Sequence, residues 1–310
     1  MRCKFVLLLY FFILRAFFGF AQDQPYRFVI LADTQLGMHA GDQNFEQEKA
    51  NYEFVVAAIN RWKPGFVIVL GDLVNKTGSM EQIREFLRIT RTIDPFIPVY
   101  YVAGNHDIGP APTPETLALY RKIFGRDYYY FRAGPLYGIV LNSSLICEPK
   151  NVLEEYRAQN AWLKKELEAA KASGAQHVIV FQHHPYFVSD PGESTQWGSI
   201  PLKQRKPVLE LLHQYGVHYV FAGHVHKSFA AKDGDLEMVA CGPVSMPLGE
   251  DRSGLCVVTI TAGVLQHQFY DFGRMPNRLD TKKELTGESG KRANLGRQRV
   301  RLIASHNPVR

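Results

Sequence analysis

Five apolar runs along the chain share one layout, in which five or six mostly apolar residues are followed directly by a polar motif. The runs lie at residues 28–32, 66–70, 99–103, 177–181 and 217–222. Short runs of Val, Ile, Phe and Tyr bounded by Gly or Pro are typical of strands that are covered on both faces. Between them, apolar residues recur at helical spacing over 44–62, 80–93, 115–124, 152–171 and 202–215. This alternation predicts an α/β fold.

Further strands are predicted outside these runs. Residues 128–132 and 136–141 flank Ala133-Gly134-Pro135 and are typical of a hairpin. Residues 236–240, 255–261 and 264–270 have the same strand composition. The β-rich C-terminal part predicts a second sheet packed on the first. We therefore expect a single domain in which two mixed β-sheets pack as a sandwich flanked by helices.

The polar motifs carry the candidate chemistry. In order they are Asp33-Thr34-Gln35, Gly71-Asp72, Gly104-Asn105-His106-Asp107, Gln182-His183-His184-Pro185 and Gly223-His224-Val225-His226. In open α/β sheets, ligands bind outside the carboxyl ends of the strands, so these motifs are expected to meet in one crevice. Carboxylate, amide and imidazole groups are the donors that divalent metals use in proteins. The five motifs together predict a metal site.

The order and spelling of the motifs resemble the calcineurin-like metallophosphoesterase superfamily, whose signature runs D-x-H, G-D, G-N-H-[DE], H and G-H-x-H. The resemblance covers roughly residues 26–272. Gln35 stands where the superfamily usually has a histidine. This glutamine, together with the stretches 104–116, 140–143 and 236–239, is similar to the CPPED-type (calcineurin-like phosphoesterase domain-containing) serine/threonine phosphatases. The two-sheet architecture agrees with the fold that this resemblance implies.

The resemblance implies a centre of two divalent ions, with Mn, Fe, Zn and Mg all compatible with the donors. Asp72 would bridge the ions. The first ion would be held by Asp33, Gln35 and His226, and the second by Asn105, His183 and His224. A hydroxide between the ions would attack phosphorus. His106 would assist the leaving oxygen, and Asp107 would orient its ring.

Several of these residues have a second interpretation. Asp107 is equally well a turn or helix-capping residue, and His184 a packing or supporting histidine. Gln35 is a weak ligand, a residue that holds a water, or one that leaves the first site loosely occupied. Asn75 and Asn142 either contact the substrate phosphate or make a hydrogen bond within a loop. Trp197, in the polar loop 189–199, is expected to line the mouth of the pocket.

The function expected from this set is a metal-dependent phosphoric ester hydrolase, most simply a phosphomonoesterase acting on a phosphorylated small molecule or a phosphoprotein. A phosphodiesterase of the same superfamily is the first alternative, because the motifs do not separate the two ester classes. The second is a catalytically weak phosphate-binding protein, which Gln35 in place of histidine would favour.

The ends of the chain differ from its middle. Residues 1–21 combine Arg2 and Lys4, an apolar stretch over 5–20 and a small-residue cleavage pattern, which is the layout of a signal peptide. We therefore expect export to a periplasmic or extracellular location, no stable membrane span after cleavage, and a catalytic domain over residues 22–272. Residues 273–310 are polar and are expected to form a mobile basic tail.

The net charge limits which partners we expect, and the cysteine count limits the number of disulfides. The net charge is +6, but Lys and Arg exceed Asp and Glu by seven in residues 273–310 and by three in residues 1–21, which leaves −4 for the remainder. The predicted domain therefore has no basic stripe of the nucleic-acid-binding kind. Three cysteines follow residue 21, so at most one disulfide can form within the chain. The sequence leaves the oligomeric state open.

Overall fold

The structure is a computed structural model that describes residues 24–195 and 198–279. The predicted signal peptide, Trp197 and the tail beyond residue 279 lie outside the described residues. The strands of the described part are β1 Tyr26–Leu31, β2 Val67–Val69, β3 Val99–Tyr101, β4 Tyr129–Ala133, β5 Leu136–Val140, β6 His177–Phe181, β7 Tyr219–Ala222, β8 Phe229–Asp233, β9 Leu236–Ala240, β10 Gly254–Thr261 and β11 Val264–Asp271. The helices are α1 Glu46–Trp62, α2 Met80–Thr90, α3 Asn105–Ile108, α4 Pro114–Phe124, α5 Ser143–Cys147, α6 Leu153–Ala172 and α7 Leu202–Gln214.

The strands form two mixed sheets, as the sequence predicted. The first has five strands in the order β11-β10-β1-β2-β3, and the second has six in the order β4-β5-β6-β7-β9-β8. Strands β1, β2 and β3 run parallel to one another, as do β5, β6, β7 and β9. The edge strands β11, β4 and β8 each pair antiparallel with their neighbour. In each sheet the parallel strands therefore end at a common edge, where loops collect.

The two sheets pack face to face over an apolar core. Alternate residues of β1 and of the run that contains β2 point into it, among them Phe28, Ile30 and Ile68. Aromatic rings cross from sheet to sheet: Phe28 lies 6.1 Å from Phe181 edge to face, and Phe66 lies 5.3 Å from Phe131. Such pairs add to the burial energy and fix how the sheets are aligned.

Helices cover the outer faces. Leu163 and Leu167 of α6 and Leu209 and Leu212 of α7 pack on the outer side of the six-stranded sheet. Phe86 of α2 stacks on Tyr52 of α1 and meets Tyr101 of β3 at its edge. The apolar residues at helical spacing in the sequence thus form two further apolar layers, one between each sheet and the helices that cover it. No helix in the described part of the chain has the length and apolar character that a membrane crossing requires.

The chain continues in contact with the domain beyond the predicted boundary at residue 272. The Trp62 indole donates to the Pro276 carbonyl at 3.0 Å, and Arg61 donates to the Asn277 carbonyl at 3.0 Å. Phe272 meets Phe54 edge to face at 5.4 Å. The segment up to Asn277 therefore lies on helix α1.

Candidate metal centre

The polar motifs meet where the parallel strands of both sheets end. Asp33 follows β1, Asp72 follows β2, and Asn105 and His106 open the short helix α3 after β3. His183 follows β6, and His224 and His226 follow β7. Asp33, Asp72 and His183 are at most 1% exposed, so the charged groups of this cluster are withdrawn from water.

Five residues of the polar motifs have a positive φ angle, in the left-handed region of the backbone. The φ angles are 49° at Asp33, 38° at Gln35, 50° at Asp72, 70° at His224 and 52° at His226. A non-glycine residue in a sparsely populated region costs on the order of 1–3 kcal/mol and persists only where the surroundings fix it. Such residues cluster at functional sites, so this concentration itself marks the crevice as one.

Hydrogen bonds between the loops supply that fixation. The Asp33 N–H donates to the Gly71 carbonyl at 3.2 Å, and the Gln35 N–H donates to the Asp72 carbonyl at 2.8 Å. From the other sheet, the His224 N–H donates to the Asp33 carboxylate at 3.0 Å. Each loop therefore holds its neighbour in the conformation that brings the side chains together.

The glycines of the motifs are required by how closely these loops approach. A Cβ on Gly104 would lie 2.2 Å from both the backbone nitrogen and Oδ1 of Asp72. A Cβ on Gly71, where φ is +84°, would lie 2.7 Å from Nδ1 of His183. Side chains at these positions would push the candidate ligands apart, which gives a physical reason for glycine in the motifs.

One group of donor atoms converges around His183. Its Nε2 lies 3.1 Å from Oδ1 of Asn105, 3.2 Å from Oδ2 of Asp72 and 3.2 Å from Nδ1 of His224. Ligands about 2.1 Å from one ion are about 3.0–3.4 Å apart at octahedral or tetrahedral angles. The separations are those of a ligand set for one cation, and they join the residues predicted for the second metal.

The other group surrounds Asp33. Nε2 of His226 lies 3.6 Å from Oδ1 of Asp33, and Asp33, Asp72 and His183 each place a donor atom within 4.8 Å of one another. The Gln35 side chain is 2% exposed, and its Oε1 has no hydrogen-bond partner among the described residues. A buried polar atom of this kind normally has a partner, so a cation or its water at this place would satisfy the amide oxygen.

The rings of His183 and His226 are oriented by backbone carbonyls. Nδ1 of His183 bonds to the Leu70 carbonyl at 2.7 Å, and Nδ1 of His226 bonds to the Met246 carbonyl. A carbonyl partner requires a proton on Nδ1, which leaves Nε2 of each ring with its lone pair free for a ligand. Metal-binding histidines commonly have this arrangement.

The electrostatics of the crevice also fit a cation. Burial raises the pKa of Asp33. Burial also opposes ionisation of Asp72, yet His183 holds the pKa of Asp72 well below its ordinary value. Although burial opposes protonation of His183, the Asp72 carboxylate raises the pKa of His183 to about 9. Burial and the neighbouring His183 lower the pKa of His224 to about 3. The charge of the buried Asp33 and Asp72 carboxylates is compensated by a proton on His183. A divalent ion bound here would displace that proton and compensate the charge instead.

His106 lies beside this cluster and is held by its backbone. Its N–H donates to Oδ1 of Asp72 at 2.8 Å, and its ring Nδ1 bonds to the Asn75 carbonyl at 2.6 Å. The second ring nitrogen is left for an incoming group. The carbonyl that orients this ring was not predicted, because backbone groups carry no signal in the sequence.

The contacts of Asp107 distinguish its two interpretations. Its Oδ1 accepts from the Leu73 N–H at 2.9 Å, and its Oδ2 accepts from the Gly104 N–H at 2.8 Å. The described contacts therefore place Asp107 on the backbone of the two ligand loops, and the position beside the His106 ring is taken by the Asn75 carbonyl. Burial and the Asp72 carboxylate raise the pKa of Asp107, against the bonds that it accepts from backbone N–H groups. This geometry is that of the helix-capping interpretation.

The remaining polar candidates are placed as follows. Nδ1 of His184 bonds to Oγ of Ser143 at 2.9 Å, and its ring lies 4.2 Å from that of His224, so His184 supports the cluster from one side. Burial lowers the pKa of His184 well below its ordinary value, which keeps the ring neutral. Asn142 donates to the buried Asp127 at 2.9 Å and caps α5, the loop role considered for it.

Comparison with known proteins identifies the family. Residues 26–228 match the family described as calcineurin-like phosphoesterase (Metallophos). The chain belongs to the calcineurin-like phosphoesterase family. A serine/threonine-protein phosphatase CPPED1 from Mus musculus is 35% identical over 266 residues, which cover 81% of this chain and 85% of the relative.

Solved structures agree with this fold. A purple acid phosphatase from yellow lupin (Lupinus luteus) superposes with a TM-score of 0.60 at 17% identity, covering 81% of this chain and 53% of the other. A dimetal phosphatase from Danio rerio superposes with a TM-score of 0.54 at 16% identity, covering 79% of this chain and 99% of the other. The calcineurin-like phosphoesterase described here is accordingly a metal-dependent phosphoesterase, and its family implies divalent metal ions. The converging donors and the unpartnered Gln35 oxygen fit such ions.

Proposed function

We propose that the protein hydrolyses phosphomonoesters at a centre of two divalent ions. The observation that carries this proposal is the convergence of two donor groups on Asp72. One group lies with His183, 3.2 Å from Asp72, and the other lies with Asp33. A shared carboxylate between two donor sets is what a dinuclear centre requires.

The residues have distinct roles in this proposal. Asp33, Gln35 and His226 would hold the first ion, Asn105, His183 and His224 the second, and Asp72 would bridge them. When bound, the ions would supply Lewis-acid polarisation of the phosphoryl oxygens and a water of lowered pKa. The buried carboxylates would offset the charge of the ions, and the neutral donors would complete their coordination. No phosphorylated protein side chain is required by this arrangement.

His106 would assist departure of the alcohol. Because its Nδ1 already bonds to the Asn75 carbonyl at 2.6 Å, protonation of the ring places the added proton on Nε2. From there the proton can pass to the leaving ester oxygen. General acid assistance of this kind typically contributes about 10²–10⁴-fold in rate.

We infer the class of substrate from the similar proteins. The Mus musculus relative is named a serine/threonine-protein phosphatase, which favours phosphomonoesters, including phosphoproteins. A phosphodiesterase activity is the second candidate, because the donor set does not separate the ester classes. Rates on p-nitrophenyl phosphate and bis-p-nitrophenyl phosphate, measured with the same metal-loaded preparation, distinguish them. We expect the monoester to be hydrolysed faster, and a clear diester preference would reverse this assignment.

Dependence on metal is tested with matched variants. We expect turnover of p-nitrophenyl phosphate with added Mn²⁺, loss of turnover in EDTA, and loss in Asp72→Ala. Asp235→Ala removes an exposed carboxylate at the turn between β8 and β9 and should leave the rate unchanged. Full activity of metal-stripped protein would refute the proposal. Absence of bound ions together with absence of turnover would instead favour the phosphate-binding alternative.

We also propose, from the layout of residues 1–21, that the protein is exported and that its leader is removed after residue 21. N-terminal sequencing of the protein recovered from its native location tests this directly. We expect a mature chain that begins at Gln22. A chain that retains Met1 would contradict the proposal without bearing on the catalytic assignment.

A further inference from the structure

Asn75, three residues after the predicted bridging Asp72, makes hydrogen bonds with four side chains around the first-metal side of the crevice. Its Oδ1 accepts from Nε2 of Gln35 at 3.2 Å, and its Nδ2 donates to Oδ1 of Asp42 at 2.9 Å. Its carbonyl bonds to Nδ1 of His106 at 2.6 Å, and its N–H donates to Oε1 of Gln82 at 3.2 Å. One residue therefore contacts a candidate ligand, the candidate acid and two groups outside the site.

These bonds fix the direction of each amide in turn. A carboxylate can only accept, so the Asp42 oxygen requires the NH₂ group of Asn75 on its side. The Asn75 oxygen must then lie toward Gln35, which in turn must present its own NH₂ group there. The Gln35 oxygen is then turned away from Asn75, and it is buried without a partner among the described residues. The orientation of Gln35 thus follows from a residue forty positions away in sequence.

The outer part of the network holds Asn75 itself. Nε2 of Gln82 donates to Oδ1 of Asp42 at 2.7 Å, and Oε1 of Gln82 accepts from the N–H of Lys76 at 2.9 Å. The Asn75 N–H also donates to the Leu36 carbonyl at 3.1 Å. These bonds to Asp42, Gln82 and Leu36 surround Asn75. Its side chain therefore has one arrangement.

We infer that Asn75 is a positioning residue that directs the Gln35 amide oxygen at the first metal while holding the His106 ring for proton transfer. This inference rests on the proposed dinuclear function. It means that Gln35 is held as an oxygen donor in place of the usual imidazole, and that the replacement does not leave a degenerate position. An amide oxygen suits Mn and Mg better than an imidazole does.

The test uses Mn²⁺ binding to the full chain by titration calorimetry. Removal of a group that orients a metal ligand typically lowers metal affinity about 10–100-fold. We expect Asn75→Ala and Gln35→Ala to weaken the weaker Mn²⁺ site by such a factor and to leave the other site unchanged. Because Asn75 acts on the metal through Gln35, the double variant should lose no more affinity than Gln35→Ala alone.

A second readout separates positioning from general damage. Asn75→Ala retains the backbone carbonyl that bonds to the His106 ring, so kcat at saturating Mn²⁺ should fall no further than in Gln35→Ala. A larger fall would show damage beyond the Gln35 amide and would count against the inference. Asn60→Ala is the matched control: its side chain bonds to the Thr92 carbonyl and the Asp94 N–H, and among the described residues neither bond leads to the crevice. Asp42→Ala serves if Asn75→Ala does not fold, since Asp42 is exposed, and it should weaken the same site.

The outcomes are distinguishable. If wild-type protein binds two Mn²⁺ ions and is active, but Asn75→Ala and Asp42→Ala bind like Asn60→Ala, the inference is overturned and the proposed function stands. Additive losses in the double variant would also overturn it, since Asn75 would then act independently of Gln35. If wild-type protein binds no Mn²⁺ and hydrolyses no ester, the proposed function fails and the inference fails with it.

Discussion

A single methyl group at Gly104 should test how tightly the ligand loops are packed. Gly104 has φ −105° and ψ 173°, an extended backbone that alanine adopts without strain. Any destabilisation by Gly104→Ala therefore comes from contacts in the folded protein. The added Cβ would lie 2.2 Å from the backbone nitrogen and from Oδ1 of Asp72. One of these atoms belongs to the main chain, which cannot rotate away as a side chain can.

The magnitude follows from the distance. Ordinary contact begins at 3.4 Å, so the two loops must separate by about 1.2 Å. Overpacking of this kind typically costs about 1–3 kcal/mol, and Gly→Ala returns about 0.4–1 kcal/mol by restricting the unfolded chain. We expect a net loss of about 1–2 kcal/mol in the free energy of unfolding. A catalytic group misplaced by about 1 Å can cost about 100-fold in rate, so we expect a loss of about that size in the rate of hydrolysis.

Urea unfolding in EDTA measures the first effect, and hydrolysis of p-nitrophenyl phosphate with a Mn²⁺ titration measures the second. Gly273→Ala is the matched control, since its Cβ would meet only the Asp271 carboxylate at 3.2 Å, a group that can rotate. If Gly104→Ala matches this control in stability, metal affinity and rate, the close approach of the loops is not what positions Asp72, and the argument fails.

Three further substitutions test individual residues. Gln35→His should restore an imidazole, tighten the weaker metal site and shift it toward Zn²⁺; equal affinities in calorimetry would mean that residue 35 does not bind metal. Asp107→Asn should lower the free energy of unfolding by about 1–3 kcal/mol, because the amide nitrogen cannot accept and one buried backbone N–H, of Leu73 or Gly104, is left without its acceptor; the pH dependence of kcat should not move. A shifted pH profile with intact stability would instead support the orienting role over His106. His106→Ala should lower kcat about 10²–10⁴-fold at unchanged Mn²⁺ stoichiometry, and a wild-type rate would exclude His106 as the acid.

The main strands and helices could be predicted because their patterns are local. The run at 28–32 became Tyr26–Leu31, and the helical spacing over 152–171 became Leu153–Ala172. Strand β8, Phe229–Asp233, was not predicted, although Asp233-Gly234 before β9 is typical of a hairpin turn. The helices Asn105–Ile108 and Ser143–Cys147 have only four and five residues, too few for a periodic signal.

The membership of the site was more predictable than the contacts within it. Motifs at strand ends indicated which side chains would meet, because parallel strands bring their carboxyl ends to one edge. The place of Asp107 on the backbone of Leu73 and Gly104 depends on loops that are distant in sequence. The bond between Asn75 and Asp42 joins residues 33 positions apart, and the carbonyls that orient the histidines have no residue type to reveal them. Such contacts follow from the folded loops and not from any local pattern.

The crevice draws its donors from two separate layers of the protein, and this affects how the molecule opens. Asp33, Asp72 and Asn105 extend from the five-stranded sheet, while His183, His224 and His226 extend from the six-stranded sheet. Cations bound between them would crosslink one rim of the sandwich. The rest of the interface is mainly apolar, with a few polar pairs such as Tyr101 with Tyr129 and His267 with Glu237. Removal of the ions by a chelator should therefore allow the two sheets to separate first at this rim. Amide hydrogen exchange should accelerate first around Gly71 and Gly223 and last in the aromatic centre around Phe66.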